Sequence, residues 1–188
     1  MVDWRPYMNV LFVCTGNVCR SPMAEGFLKR EASERGLGLS VRSTGTNAWP
    51  GRAATIYGRR VMQELGTPID DHRTLELTRG LLGWADLVIA LAREHVREIA
   101  SLYPEAGEKT HTLKEFVGLL PSLPAFQDLP SWIAAAHAAR NGHATSDTDV
   151  DDPMGAREEA YQRVATEIQA LVRAMAEGLE DKRVGGQR

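Results

Sequence analysis

Apolar residues along this chain alternate between short continuous runs and longer stretches with helical spacing. Val10-Leu11-Phe12-Val13 is an unbroken apolar run, the pattern of a strand covered on both faces. Downstream, Met23, Ala24, Phe27, Leu28 and Ala32 recur at intervals of three and four, which predicts a helix ending near Gly36-Leu37-Gly38. Ser21 suits its N-cap and Pro22 its first helical position. Leu39-Ser40-Val41-Arg42 reads as a second strand running into Ser43-Thr44-Gly45-Thr46. Helices are expected over Thr55 to Leu65, stopped by Gly66, and over Thr78 to Trp84. Asp86 to Leu91 is the clearest third strand and precedes a helix from Arg93 to about Leu102, and Thr110-His111-Thr112-Leu113 is a weak fourth strand. A last long helix, from about Gly155 to Leu179, carries Tyr161, Val164, Ile168, Leu171, Val172 and Met175 as a core-facing stripe. Strands alternating with helices imply an α/β doubly wound sandwich around a parallel sheet, with the ligand site at the carboxyl ends of the strands.

Length and composition add a single-domain reading. The 188 residues, 43% of them hydrophobic, suit one filled core, expected over 8–178. Residues 1–7 form an extension before the first strand, and 179–188 a polar tail expected to be disordered. Residues 119–148 stand apart: Leu119 to Pro124 is loop-like, Ser131 to Arg140 a short alanine-rich helix, and Asn141 to Thr148 polar. Such an insertion is either a lid over the site or a solvated excursion. A net charge of -3 offers no footprint for nucleic acid or an anionic membrane. There is no apolar run of membrane-spanning length and no signal-peptide pattern at the start, so the cytoplasm is the expected compartment.

The chemistry concentrates in Cys14-Thr15-Gly16-Asn17-Val18-Cys19-Arg20-Ser21-Pro22, between the first strand and the first helix. A loop wrapped around a helix N-terminus presents unpaired amides and the positive end of the helix dipole, which makes it an anion site. The same field, with Arg20 nearby, favours a sulfur anion at Cys14 and makes it a nucleophile. Arg20 offers a planar fork that matches two phosphate oxygens, which Lys could not do. Gly16 permits close backbone approach, Asn17 tolerates a left-handed conformation, and Ser21 can donate its hydroxyl to the Cys14 sulfur. Cys14 and Cys19 are the only cysteines, too few for a metal cage. In a reducing compartment both are expected as free thiols, joined reversibly to each other under peroxide.

Cys14-Thr-Gly-Asn-Val-Cys-Arg-Ser-Pro-Met-Ala-Glu25 resembles the low-molecular-weight protein-tyrosine phosphatase family, including its bacterial protein-arginine phosphatase branch. Similar segments continue through Val41 to Gly45, Asp71-His72-Arg73, Ala85 to Leu91, Thr112 to Val117 and Asp152-Pro153. The resemblance implies a four-stranded parallel sheet of order 2-1-3-4 and a metal-independent, cofactor-free phosphatase acting on phosphorylated proteins through a phosphocysteine. It implies Cys14 as nucleophile, Arg20 as phosphate clamp and Asp152 as general acid, with Asp151 the runner-up. Thr15, Gly16, Asn17, Val18, Cys19, Arg20 and Ser21 would cradle the phosphate, and Asn17, Ser21, Ser43 and His72 would hold the loop in shape. Trp49 falls where aryl-phosphate members carry an aromatic wall, and Met154 replaces the aromatic residue usual after the Asp-Pro pair. Val18 stands where the arginine phosphatase branch has Thr, whereas Thr15-Gly16 and Thr112 to Val117 look like that branch, so phosphotyrosine is the first expectation and phosphoarginine the alternative. Arsenate reduction would need further cysteines downstream, and a catalytically dead phosphate-binding module would not need Cys14, Arg20 and Asp152 together. Asp147, Asp149, Asp151 and Glu158 also have the spacing of a calcium loop, but Asp152 sits where that pattern needs glycine. The remaining histidines, His95, His111, His137 and His143, carry no signal of a role.

Overall fold

Residues 8–126, 128–140 and 148–182 are described by the computed structural model of the protein. The extension 1–7, the polar stretch 141–147 and the tail 183–188 lie outside the described residues. Four parallel strands, β1 (Met8–Cys14), β2 (Leu39–Gly45), β3 (Leu87–Ala90) and β4 (Thr110–Thr112), form one sheet of order β2-β1-β3-β4. In register, Val10 of β1 faces Val41 of β2 on one side and Leu87 of β3 on the other. The predicted doubly wound topology is therefore present, with β1 and β3 central and β1 opening directly into the cysteine loop.

Alternation along β1 sorts its side chains between two cores. Met8, Val10, Phe12 and Cys14 enter the larger one with α1 (Arg20–Arg35), α2 (Ile56–Glu64) and α7 (Glu158–Lys182), while Leu11 and Val13 enter a smaller one with α3 (Arg79–Trp84) and α4 (Arg93–Leu102). The α7 stripe follows the periodicity: Tyr161, Val164, Ile168, Val172 and Met175 are buried, and Leu171 is partly buried against the same core. This helix continues to Lys182, so 179–182 are helical rather than part of a disordered tail. Arg35 at the end of α1 reaches Glu177 and Glu180 at 3.1 Å and 2.9 Å, tying the two helices together at the surface.

Three local expectations need correction. Helix α1 begins at Arg20 with Cys19 as N-cap, not at Pro22 after a Ser21 cap. Ser21 is the second helical residue, and its hydroxyl is held by Asn17 and Cys14 and is not available to the helix amides. Strand β4 ends at Thr112, and Leu113 begins a helix not anticipated from the sequence, α5 (Leu113–Leu119). A capping box stops the strand: Thr112 accepts from the Glu115 amide while Glu115 accepts from the Thr112 amide. Finally, α7 starts at Glu158, three residues after Gly155, whose φ of 79° turns the chain into it.

In the 119–148 segment, α6 (Leu129–Ala139) packs into the larger core and is not solvated. Trp132 is 2% exposed, edge-on to Phe116 at 6.0 Å, with its indole N–H on the Pro124 carbonyl. Arg140 donates to the carbonyl of Thr110 on the edge strand and to Glu115, so this element covers the β4 edge. Among the described residues, no helix is long and apolar enough to cross a membrane.

Candidate active site

The loop after β1 is shaped chiefly by one residue. Asn17 adopts the left-handed conformation expected of it, with φ 53°, and each of its polar groups has a partner. Its backbone N–H donates to Cys14 Sγ at 3.3 Å, and its carbonyl accepts from His72 Nε2 at 2.8 Å. Its side-chain amide donates to Ser21 Oγ at 2.9 Å and Ser43 Oγ at 2.8 Å, while Oδ1 accepts from the Leu75 N–H at 2.8 Å. The Ser43 hydroxyl in turn donates to Glu25 Oε2 at 2.5 Å. The four support residues read from the sequence, Asn17, Ser21, Ser43 and His72, are thus brought together, and Glu25 joins them. Burial pushes the His72 imidazole below its usual range, so it is a neutral Nε2–H donor to Asn17. Gly45 closes the arrangement from β2: a methyl there would overlap the Thr15 carbonyl and the Asn17 amide.

Cys14 is 3% exposed and has Ser21 Oγ 3.0 Å from its sulfur. Cys19 is a different thiol. It lies against Tyr161 Oη and Thr55 Oγ1, and burial raises its ionisation above the ordinary range, so it stays protonated. Tyr161 is itself pushed up to about 12, by burial first and then by its bond to Cys19. Both thiols are free.

Arg20, in the first turn of α1, reaches across to the segment 148–152. Its Nη1 donates to the Val150 carbonyl at 3.1 Å and its Nη2 to Asp152 Oδ2 at 2.7 Å. That leaves three of the five guanidinium N–H donors for an oxyanion. The segment is docked at two further points. The Val150 N–H donates to Leu91 just past β3 at 2.8 Å. Asp149 Oδ1 accepts the Arg93 amide at 2.8 Å, capping α4, whose own N-cap Ala92 has no side-chain acceptor. Partial burial raises the Asp149 carboxyl, but the Arg93 amide and guanidinium outweigh it and hold it below the usual range. Of the clustered acidic residues, Asp152 is therefore the one on the clamp. Asp149 is committed to Arg93, Glu158 to Arg60 at 2.8 Å, and Asp147 lies outside the described residues, so the calcium-loop spacing is not matched by a shared centre among the described residues.

Around this centre lie exposed apolar side chains. Trp49 is 73% exposed on the loop whose Asn47 amide bonds to Thr15, and its ring is covered from one side by Arg52 at 5.3 Å. Met154, 53% exposed, follows the Asp152-Pro153 pair, and its amide binds Asp152 Oδ1 at 3.0 Å. Ile56 and Tyr57, not singled out from the sequence, are exposed at the start of α2, which is tied to the loop by the Thr55 amide on the Val18 carbonyl. His95 was also given no role by the sequence, yet its Nε2 lies 3.0 Å from Thr15 Oγ1.

Comparison with known proteins agrees with this geometry. A family model described as low molecular weight phosphotyrosine protein phosphatase matches residues 9–121. The chain is 34% identical to a protein-arginine-phosphatase of Bacillus subtilis over 94% of its own length and 99% of that protein's. It is 41% identical to low molecular weight protein-tyrosine phosphatase A of Mycobacterium bovis over 58% of its length and 67% of that protein's. A solved mutant of the arginine phosphatase YwlE with a phosphorylated active-site serine superimposes with a TM-score of 0.74 at 33% identity, covering 92% of this chain and 95% of that one. Loop, fold and relatives agree: this chain belongs to the low molecular weight phosphotyrosine protein phosphatase family.

Proposed function

We propose that the protein hydrolyses phosphotyrosine in protein substrates through a phosphocysteine on Cys14, without a metal ion. The observation that carries this reading is the assembly at one helix N-terminus of Cys14, Arg20 and, from 132 residues beyond Arg20, Asp152. In the first step the Cys14 sulfur attacks phosphorus, the phosphorus–oxygen ester bond breaks, and Asp152 gives its proton to the departing phenolate oxygen. Arg20 and the loop amides hold the three equatorial oxygens, over which the charge of the transferring phosphoryl group is spread. Asp152 then takes a proton from water, which displaces the sulfur and releases phosphate. The phosphorylated serine in the YwlE mutant supports a covalent intermediate on this scaffold.

Substrate preference rests on the rim. Val18 is partly buried, its methyl bordering Gly16 within the loop, and offers no polar group to a guanidinium. Together with Trp49, Tyr57 and Met154 it makes an apolar approach suited to an aromatic ring. Phosphoarginine is the second reading, favoured by the near full-length similarity to protein-arginine-phosphatases. Parallel kinetics on phosphotyrosine and phosphoarginine peptides decide between them: a higher kcat/KM for phosphotyrosine, shifted toward phosphoarginine in Val18→Thr, is expected. A wild-type preference for phosphoarginine would overturn the choice.

A further inference from the structure

The cysteine loop has a second support on the α4 side that the mechanism above does not use. His95 is fully buried, and its close polar contacts, to Thr15 and Glu94, both lie at Nε2. Its Nε2 is 3.0 Å from Thr15 Oγ1 and 3.4 Å from the Glu94 carboxylate. Its Nδ1 has no hydrogen-bond partner among the described residues. A neutral imidazole has one N–H and one lone pair. A lone pair on Nε2 would face the Glu94 oxygens and leave the Nδ1 proton buried without an acceptor, the more costly arrangement. The proton therefore belongs on Nε2.

We infer that His95 is a positioning residue for phosphoryl transfer: its Nε2–H donates to Thr15 Oγ1 and fixes the residue that directly follows the nucleophile. Thr15 then has its own hydroxyl proton free to turn away from α4, toward an acceptor in the loop. The role rests on the phosphatase reading of Cys14. Burial, and next the Arg20 charge, push His95 down to about 4, against the opposing pull of Glu98, Asp152 and Asp149. Glu94 completes the set of charged groups facing the ring.

Long-range nitrogen correlation spectra of the labelled protein test the tautomer directly. One neutral Nε2–H form of His95 from pH 5 to 8 is expected, and an Nδ1–H form would overturn the inference. Kinetics on p-nitrophenyl phosphate and inhibition by inorganic phosphate test the role. His95→Met should lower kcat/KM and phosphate affinity about fivefold to tenfold, the worth of one hydrogen bond. His95→Gln, which keeps a donor at the same reach without a titrating ring, should stay within about twofold of wild type. In a Thr15→Val background His95→Met should cost nothing more, whereas multiplying losses would contradict the coupling. Absence of any wild-type hydrolysis would remove the phosphatase reading, while the spectra and phosphate binding would still decide the fate of the Thr15–His95 bond. Should His95→Met fail to fold, His95→Gln and Thr15→Val carry the same test.

Discussion

The two flanks of the phosphate loop are built differently. Toward β2, Asn17, Ser21, Ser43, Glu25 and His72 form a closed network in which the four polar groups of Asn17 make five hydrogen bonds. Toward β3, the loop is met by groups from distant parts of the chain: Arg20 finds Asp152 at a separation of 132 residues, and Thr15 finds His95 at 80. The first flank determines the shape of the loop. The second brings Asp152 to it, through a segment docked on Leu91, Arg93 and Arg20. Shape and acid–base chemistry should therefore be separable by mutation.

The largest effect is expected on the β3 flank. Asp152→Asn should reduce turnover of a phosphotyrosine peptide by about a hundredfold to a thousandfold, the usual worth of a general acid. The loss should be smaller for p-nitrophenyl phosphate, whose leaving group needs little protonation, and the midpoint of urea unfolding should barely move. An equal loss on both substrates would mean that Asp152 acts through Arg20 and not as an acid.

On the β2 flank the order should reverse. Asn17→Ala leaves the Leu75 amide and the two serines short of a partner and keeps a left-handed conformation without the side-chain amide that favours it. Unfolding by urea should show a loss of about 2 kcal/mol, accompanied by weaker binding of inorganic phosphate. Loss of turnover with stability and phosphate binding intact would contradict a shaping role.

A smaller effect concerns neither flank and serves as their control. His111, fully buried in β4, is held neutral by burial first and then by Arg140 and His137, which push it down to about 3. In the unfolded chain it takes up a proton near pH 6.5, so stability is full above that pH and falls as the pH drops toward the folded value. Denaturation between pH 7 and 5 should show this fall. His111→Leu should flatten it by up to about 1.4 kcal/mol per pH unit below the unfolded pKa, and an unchanged slope would contradict the assignment.

Legibility in the sequence followed the same division. The nine residues Cys14 to Pro22 carry their chemistry side by side, and the apolar run before them places them at a strand end, so strand and loop could be read directly, while the sheet order and the support residues Ser43 and His72 came from the family resemblance. Asp152 was read from its Asp-Pro pair, but its docking through Asp149 and Val150 has no local signature. His95 was missed because a single histidine on an amphipathic helix has no pattern of its own, and only the fold brings Thr15 to it. Helix α5 was missed because it has only seven residues, although Thr112 and Glu115 are spaced as a capping box. The 119–148 segment was read as lid or excursion because its alanine-rich helix has little contrast between faces. Trp132 is the side chain that anchors it to the core.

The account depends above all on phosphoryl transfer to the Cys14 sulfur. Rapid acid-free quenching of enzyme mixed with p-nitrophenyl phosphate, followed by phosphorus NMR and peptide mass mapping, observes that bond directly. A thiophosphate signal confined to the Cys14 peptide, formed within the first turnover and absent in Cys14→Ser, is the predicted result. Full turnover with no phosphorylated cysteine, or with phosphate on another side chain, would contradict it.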